Sequence, residues 1–180
     1  MATQLRDIQP DPGLLEQCAA AVAACDAYFA AARERVGEAV SANGVDAEQH
    51  AAHGLAWTKV YVESLREMQA WGARLDEAGS LGELERLILE AAFAEYLSRL
   101  AGGLPMSQGE IVRPHDLYVD DNALHAFISD PAVSRLTRTG WTAEKRRRLA
   151  ELIEDGQFGD WGLEDDSLEM IRDQFRRFSD

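Results

Sequence analysis

The sequence predicts an all-α fold, an antiparallel helical bundle of three long helices plus several shorter C-terminal helices. Three observations carry that prediction. Apolar residues recur at three- and four-residue spacing over long stretches. Glycine paired with asparagine, serine or glycine punctuates those stretches. No convincing period-two run marks a strand.

The elements follow in order. IQPDPG is turn-rich and ends near Gly13. The first helix then runs from Leu14 with Cys18, Val22, Cys25, Phe29, Val36 and Val40 on one face. Alanine fills much of the rest, which raises helix propensity and leaves room for close packing. Asn43-Gly44 stops it, and Asp46 is placed to cap the next helix. The second helix carries Trp57, Val60, Tyr61, Leu65, Met68, Trp71 and Leu75, and ends near Gly79-Ser80. The third runs from about Leu81 to Leu100, with Leu84, Leu87, Ile88, Ala91, Leu97 and Leu100 on its stripe, and Gly102-Gly103 ends it. The short DEAGS connection favours an antiparallel pair. Pro105 and Pro114 exclude a regular helix through the long segment that follows, which reads as a loop. Beyond it, Asp121 or Asn122 starts a short helix through Phe127, and Asp130-Pro131 opens another. Thr142 caps AEKRRRLAELIED, which ends at Gly156. The last helix spans about Glu164 to Phe178, with Leu168, Ile171, Phe175 and Phe178 on one face.

The 180 residues suffice for one domain with a real core. A hydrophobic share of 46% excludes an intrinsically disordered chain. Eighteen basic residues stand against 32 acidic ones, a formal charge of −14. That balance argues against nucleic acid, whose phosphates need a basic face, and against anionic membranes. No apolar run is read as approaching the ~20 residues of a membrane span, and the N-terminus lacks a signal-peptide core. The expected compartment is the cytoplasm. Cys18 and Cys25 stand two helical turns apart, roughly 10 Å, too far for a disulfide. They read as small buried apolar residues.

No residue pattern designates a catalytic, cofactor-binding or metal centre. His50 and His53 share a helical face with Asp46, but the Glu-x-x-His pairs of a di-iron bundle and HExxH are absent, which favours a helix-start histidine pair. Ser107 in PMSQG lacks the first glycine of a nucleophile elbow and no strand leads into it. Gly102-Gly103 and Gly109 form neither GxGxxG nor a P-loop. Lys145-Arg146-Arg147-Arg148 is followed by Glu151, Glu154 and Asp155, which suits a solvated helix face more than an anion or partner site. The interaction candidates lie elsewhere. The segment from Leu104 to Leu117 mixes Met106 with Ser107, Gln108, Glu110 and Arg113, and fits either closure of the bundle or contact with a partner. The last helix presents Phe175 and Phe178, which need cover from this bundle or from something else.

Three phrases carry a resemblance: AAHGLAWTKVYVESLREMQAWGARL, ELERLILEAAFAEYLSRLAGGLPMSQGEIVRPHDL and FGDWGLEDDSLEMIRDQFRRFSD. They resemble the N-terminal region of methylsuccinyl-CoA dehydrogenases, flavin-dependent acyl-CoA dehydrogenases of the ethylmalonyl-CoA pathway. The resemblance starts near His50, and the first 45 residues contribute little to it. It implies a non-catalytic helical accessory domain at 1–160, then a linker and the first helix of an acyl-CoA dehydrogenase body at 161–180. On that implication the chain ends as the catalytic module begins, so the FAD site and the glutamate base would lie beyond Asp180. The implied reaction converts (2S)-methylsuccinyl-CoA to mesaconyl-CoA: a glutamate takes the α-proton and the β-hydride moves to FAD. The implied partners are the catalytic body or a homo-oligomer, with electron-transfer flavoprotein for the full enzyme. The alternative is an independent helical interaction module.

Overall fold

The computed structural model describes residues 13–162 and 165–179. Residues of the IQPDPG turn before Gly13, and Glu164, the expected start of the last helix, lie outside them. The long helices are α1 (Leu14–Asn43), α2 (Gln49–Glu77) and α3 (Glu83–Gly102). The shorter ones are α4 (Asp121–Ser129), α5 (Pro131–Thr139), α6 (Ala143–Glu154) and α7 (Asp166–Ser179). The all-α expectation holds for the bulk of the chain, with one small exception between α3 and α4.

α1 packs most extensively on α2, and α3 packs on α2 and α5. Small residues make these approaches close: Cys18, Ala21, Cys25 and Ala32 of α1 are fully buried. Neither Cys18 nor Cys25 forms a disulfide, and burial pushes the Cys25 thiol up to about 12, helped by the nearby Asp26 and Asp130 carboxylates. Tyr28 stacks on Phe127 of α4 with ring centres 4.8 Å apart. By length and composition α1 does meet the test for a membrane span, which the sequence reading did not anticipate. Eight of its residues, from Leu14 to Val36, are buried in the bundle core, which supplies a packing reason for that apolar composition.

The caps correct one expectation and support others. Asp46 does not cap α2; Glu48 occupies the N-cap and turns its carboxylate to other partners. Asp120 caps α4, accepting from the Ala123 amide at 2.8 Å. Asp130 caps α5 through the Ala132 and Val133 amides, and Thr142 caps α6. On α2, Val60 proves half-exposed while Val62 is fully buried. On α3, the fully buried Phe93 was not among the expected stripe residues.

The segment read as a loop is a hairpin. β1 (Leu104–Ser107) pairs antiparallel with β2 (Glu110–Val112), with Leu104 opposite Val112 and Pro105 opposite Ile111. A register irregularity falls between Pro105 and Ser107. Strands of four and three residues are too short to display a period, and Pro105 is tolerated because a two-stranded ribbon is all edge. Gly109 supplies the positive φ, 89°, that the turn needs. A single turn of 3-10 helix, Pro114–Leu117, follows.

Two of the phrases quoted above meet in this packing. A Cβ on Gly54 of AHGLAW would lie 2.4 Å from Val112 Cγ2 of β2. Glycine at that point lets the hairpin seat directly on the α2 backbone.

Candidate interaction surface

α7 is amphipathic at three-four-three spacing, and its apolar stripe faces outward. Leu168 and Ile171 are about half exposed, Phe175 is 75% exposed and Phe178 is 95% exposed. Asp166 and Glu169 occupy the first turn and Arg176 and Arg177 the last, the order that complements a helix dipole. Arg172 lies over the Trp161 ring at 5.7 Å, linking α7 to the segment before it.

That segment is tied to the bundle. Trp71 Nε1 donates to the Asp160 carbonyl at 3.2 Å, and the Asp160 amide donates to Glu85 Oε1 at 2.8 Å. Glu85 is 6% exposed, so a buried carboxylate holds the linker against the α2–α3 turn. Exposed aromatic side chains thus stand at Phe158 and Trp161 before α7 and at Phe175 and Phe178 on it. Large apolar side chains left exposed along one helix face mark a candidate interaction surface.

The hairpin candidates divide. Met106 is 7% exposed and packs in the main core, so it is not available to a partner. Ser107 Oγ donates to Glu110 Oε2 at 2.9 Å, closing the turn across Gln108 and Gly109. Gln108 and the Arg113 side chain are exposed. The Arg113 amide donates to Asp116 Oδ2 at 2.7 Å, which starts the 3-10 turn. No hydrogen bond or ion pair among the described residues joins these positions to Phe175 or Phe178.

A second polar feature escaped the sequence reading. Tyr118, at φ 57°, donates its hydroxyl to Glu48 Oε2 at 2.7 Å, and Asn43 Nδ2 donates to Glu48 Oε1 at 2.7 Å. These bonds hold the Glu48 carboxyl below its ordinary range and raise the Tyr118 phenol. They pin the end of α1, the start of α2 and the exit of the hairpin together. His50 lies 3.8 Å from Asp116, and His115 lies 3.3 Å from it. Among the described residues no group of histidine, cysteine and carboxylate ligands is arranged to hold a metal.

The basic cluster is used more than expected. Arg148 makes two hydrogen bonds to Glu83, at 2.8 and 2.7 Å, and Lys145 meets Glu90 at 2.6 Å. Both clamp α6 to α3, while Arg146 stacks over Trp141 at 5.6 Å.

The architecture is a helical bundle with a docked hairpin, presenting an amphipathic C-terminal helix. Its sequence is 44% identical, over 179 aligned residues, to (2S)-methylsuccinyl-CoA dehydrogenase of Cereibacter sphaeroides. The match takes in 93% of this chain and 31% of the relative, so the chain spans about a third of that protein's length. Coverage so wide includes most of α1, which the quoted phrases alone left out. No protein-family model matches the chain.

Proposed function

We propose that this chain is the N-terminal helical accessory part of a FAD-dependent acyl-CoA dehydrogenase similar to (2S)-methylsuccinyl-CoA dehydrogenase. The observation that carries the reading is the 44% identity over nearly the whole of this chain and under a third of the relative. Its role is to support assembly of the catalytic body. Residues 1–160 form the accessory unit, and 161–180 form the linker and the helix that enters the body. The exposed Ile171, Phe175 and Phe178 stripe suits a helix whose apolar face is covered by that body.

Among the described residues, neither glycine site that borders a helix end, Gly82 or Gly102-Gly103, fits a phosphate cradle for a flavin dinucleotide. Gly102-Gly103 ends α3, and a Cβ at Gly103 would meet Ile111 Cγ2 at 2.9 Å, so this glycine admits the hairpin. Gly82 does precede a helix, but a Cβ there would lie 2.7 Å from the Glu85 carboxylate, a charge that repels phosphate. No step of the dehydrogenation is routed through this chain. Conversion of methylsuccinyl-CoA to mesaconyl-CoA, with electrons leaving to electron-transfer flavoprotein, belongs to the proposed full enzyme in the cytoplasm.

The test mixes this protein with Cereibacter sphaeroides (2S)-methylsuccinyl-CoA dehydrogenase from which the matching segment has been deleted. The expected result is co-elution on size exclusion, with improved flavin retention and turnover. The Phe175→Asp/Phe178→Asp variant should keep its helix content and lose co-elution. Flavin-dependent turnover by this protein alone, or no association with the truncated enzyme, would overturn the reading.

A further inference from the structure

The outer face of α2 carries an apolar stripe. Trp57, Val60, Ser64, Met68 and Trp71 recur at three- and four-residue spacing, which sets them in a line about 21 Å long. Toward the end of α2 this line forms one wall of a shallow groove of about 380 Å³, and Ala92 and Tyr96 of α3 form the other. Val60 is 52% exposed. Trp57, Met68, Trp71 and Tyr96 are half-buried, so each rests on the core and keeps apolar surface of its own. α1 differs: its outer face holds the exposed and charged Arg33, Glu34, Arg35 and Glu38.

The polar atoms of the stripe already have their hydrogen bonds. Trp57 Nε1 donates to His53 Nε2 at 2.9 Å, and Ser64 Oγ donates to the Val60 carbonyl at 2.8 Å. Trp71 Nε1 is held by the Asp160 carbonyl, as described above. Whatever covers the stripe therefore has no hydrogen bonds to supply, only apolar surface. Aromatic rings and a methionine with no charge among them match the centre of a protein interface rather than its rim.

The linker points to the occupant. Gly162 sits against the last residue of the stripe: a Cβ there would lie 3.3 Å from Trp71 Cδ1 and 3.0 Å from Leu75 Cδ2. From Gly162 to Asp166, where α7 starts, the chain reaches at most about 14 Å. A protein body that covers the α7 stripe is thereby brought beside Trp71. The match takes in 31% of the relative, so more than two thirds of that protein lies outside it, mass enough to meet both surfaces.

We infer that this face is a second contact with the catalytic body: an apolar surface of that body lies along Trp57, Val60, Met68 and Trp71 while α7 enters it. The inference rests on the assembly reading and adds the place where the bundle itself is held.

The experiment labels the methionine methyls of the full chain and follows them by NMR as the truncated Cereibacter sphaeroides enzyme is added unlabelled. The Met68 methyl should shift, while that of Met106, 7% exposed in the core, should stay. Val60→Arg/Ser64→Arg sets two cations on the stripe. It should keep the parent's helix content and bind the truncated enzyme at least about tenfold more weakly. If the parent associates but Met68 does not move, or the double variant binds as tightly, the second contact falls and the assembly reading stands. No association by the parent takes both down. A Met68 shift that follows the chain's own concentration, without the truncated enzyme, assigns the face to a second copy and overturns the inference.

Discussion

α1 and α7 have the same kind of sequence pattern and opposite fates. Both place apolar residues at helical spacing on one face. In α1 that face is closed: Cys18, Ala21, Cys25 and Ala32 have no exposed surface. In α7 the face is open, and Phe178 retains 95% of its surface. Periodicity thus reports that a helix has a face to cover and is silent on what covers it. α1 is 30 residues long and lies along α2. α7 is 14 residues long and follows a linker fastened at Asp160 to Trp71 of α2 and Glu85 of α3.

The contrast is sharpest at a single aromatic ring. Phe93→Ala removes a fully buried ring and should destabilise the fold by about 3–5 kcal/mol in denaturant unfolding. Phe175→Ala should move the same midpoint by about 0.5 kcal/mol or less. Equal losses at the two positions would show that α7 is core after all.

Next in size is the seat of the hairpin. Gly54→Ala drives a methyl into Val112 and should cost about 1–3 kcal/mol, with faster amide exchange in β2 than in α7. Trimming the partner as well, with Val112→Ala, should restore part of that loss.

The smallest effect concerns pH. The folded-state pKa of Glu48 is depressed, so its contribution is present above the ordinary carboxylate range. That contribution is lost as pH falls through the folded value. Stability measured from neutral pH downward should decline less steeply in Glu48→Gln than in the parent. Tyr118→Phe should flatten the slope partly, since Asn43 still donates to the carboxylate. Parallel slopes for all three proteins would remove Glu48 from the account.

Much of the fold was legible without coordinates. The stops at Asn43-Gly44 and Gly102-Gly103 fall where the helices end. The Asp130 and Thr142 caps were readable because a cap acts within three residues of itself. Phe175 and Phe178 were readable as a surface in need of cover for the same local reason. Whether Met106 closes the bundle or meets a partner was not legible, because a four-residue strand cannot show which of its sides is inward; the fold turns it into the core. Glu48 and Glu85 were missed because their partners, Tyr118 and Asp160, lie 70 and 75 residues away.

The sequence by itself determined the helices, the caps at Asp130 and Thr142 and the amphipathic face of α7, since each depends on spacing within a few turns of one chain segment. Only the tertiary structure decided that the post-α3 segment is a hairpin seated on Gly54, that Glu48 joins three elements, and that Glu85 holds the linker at Asp160. Those features depend on surfaces from distant segments meeting, and burial, charge pairing and close approach exist only once they do.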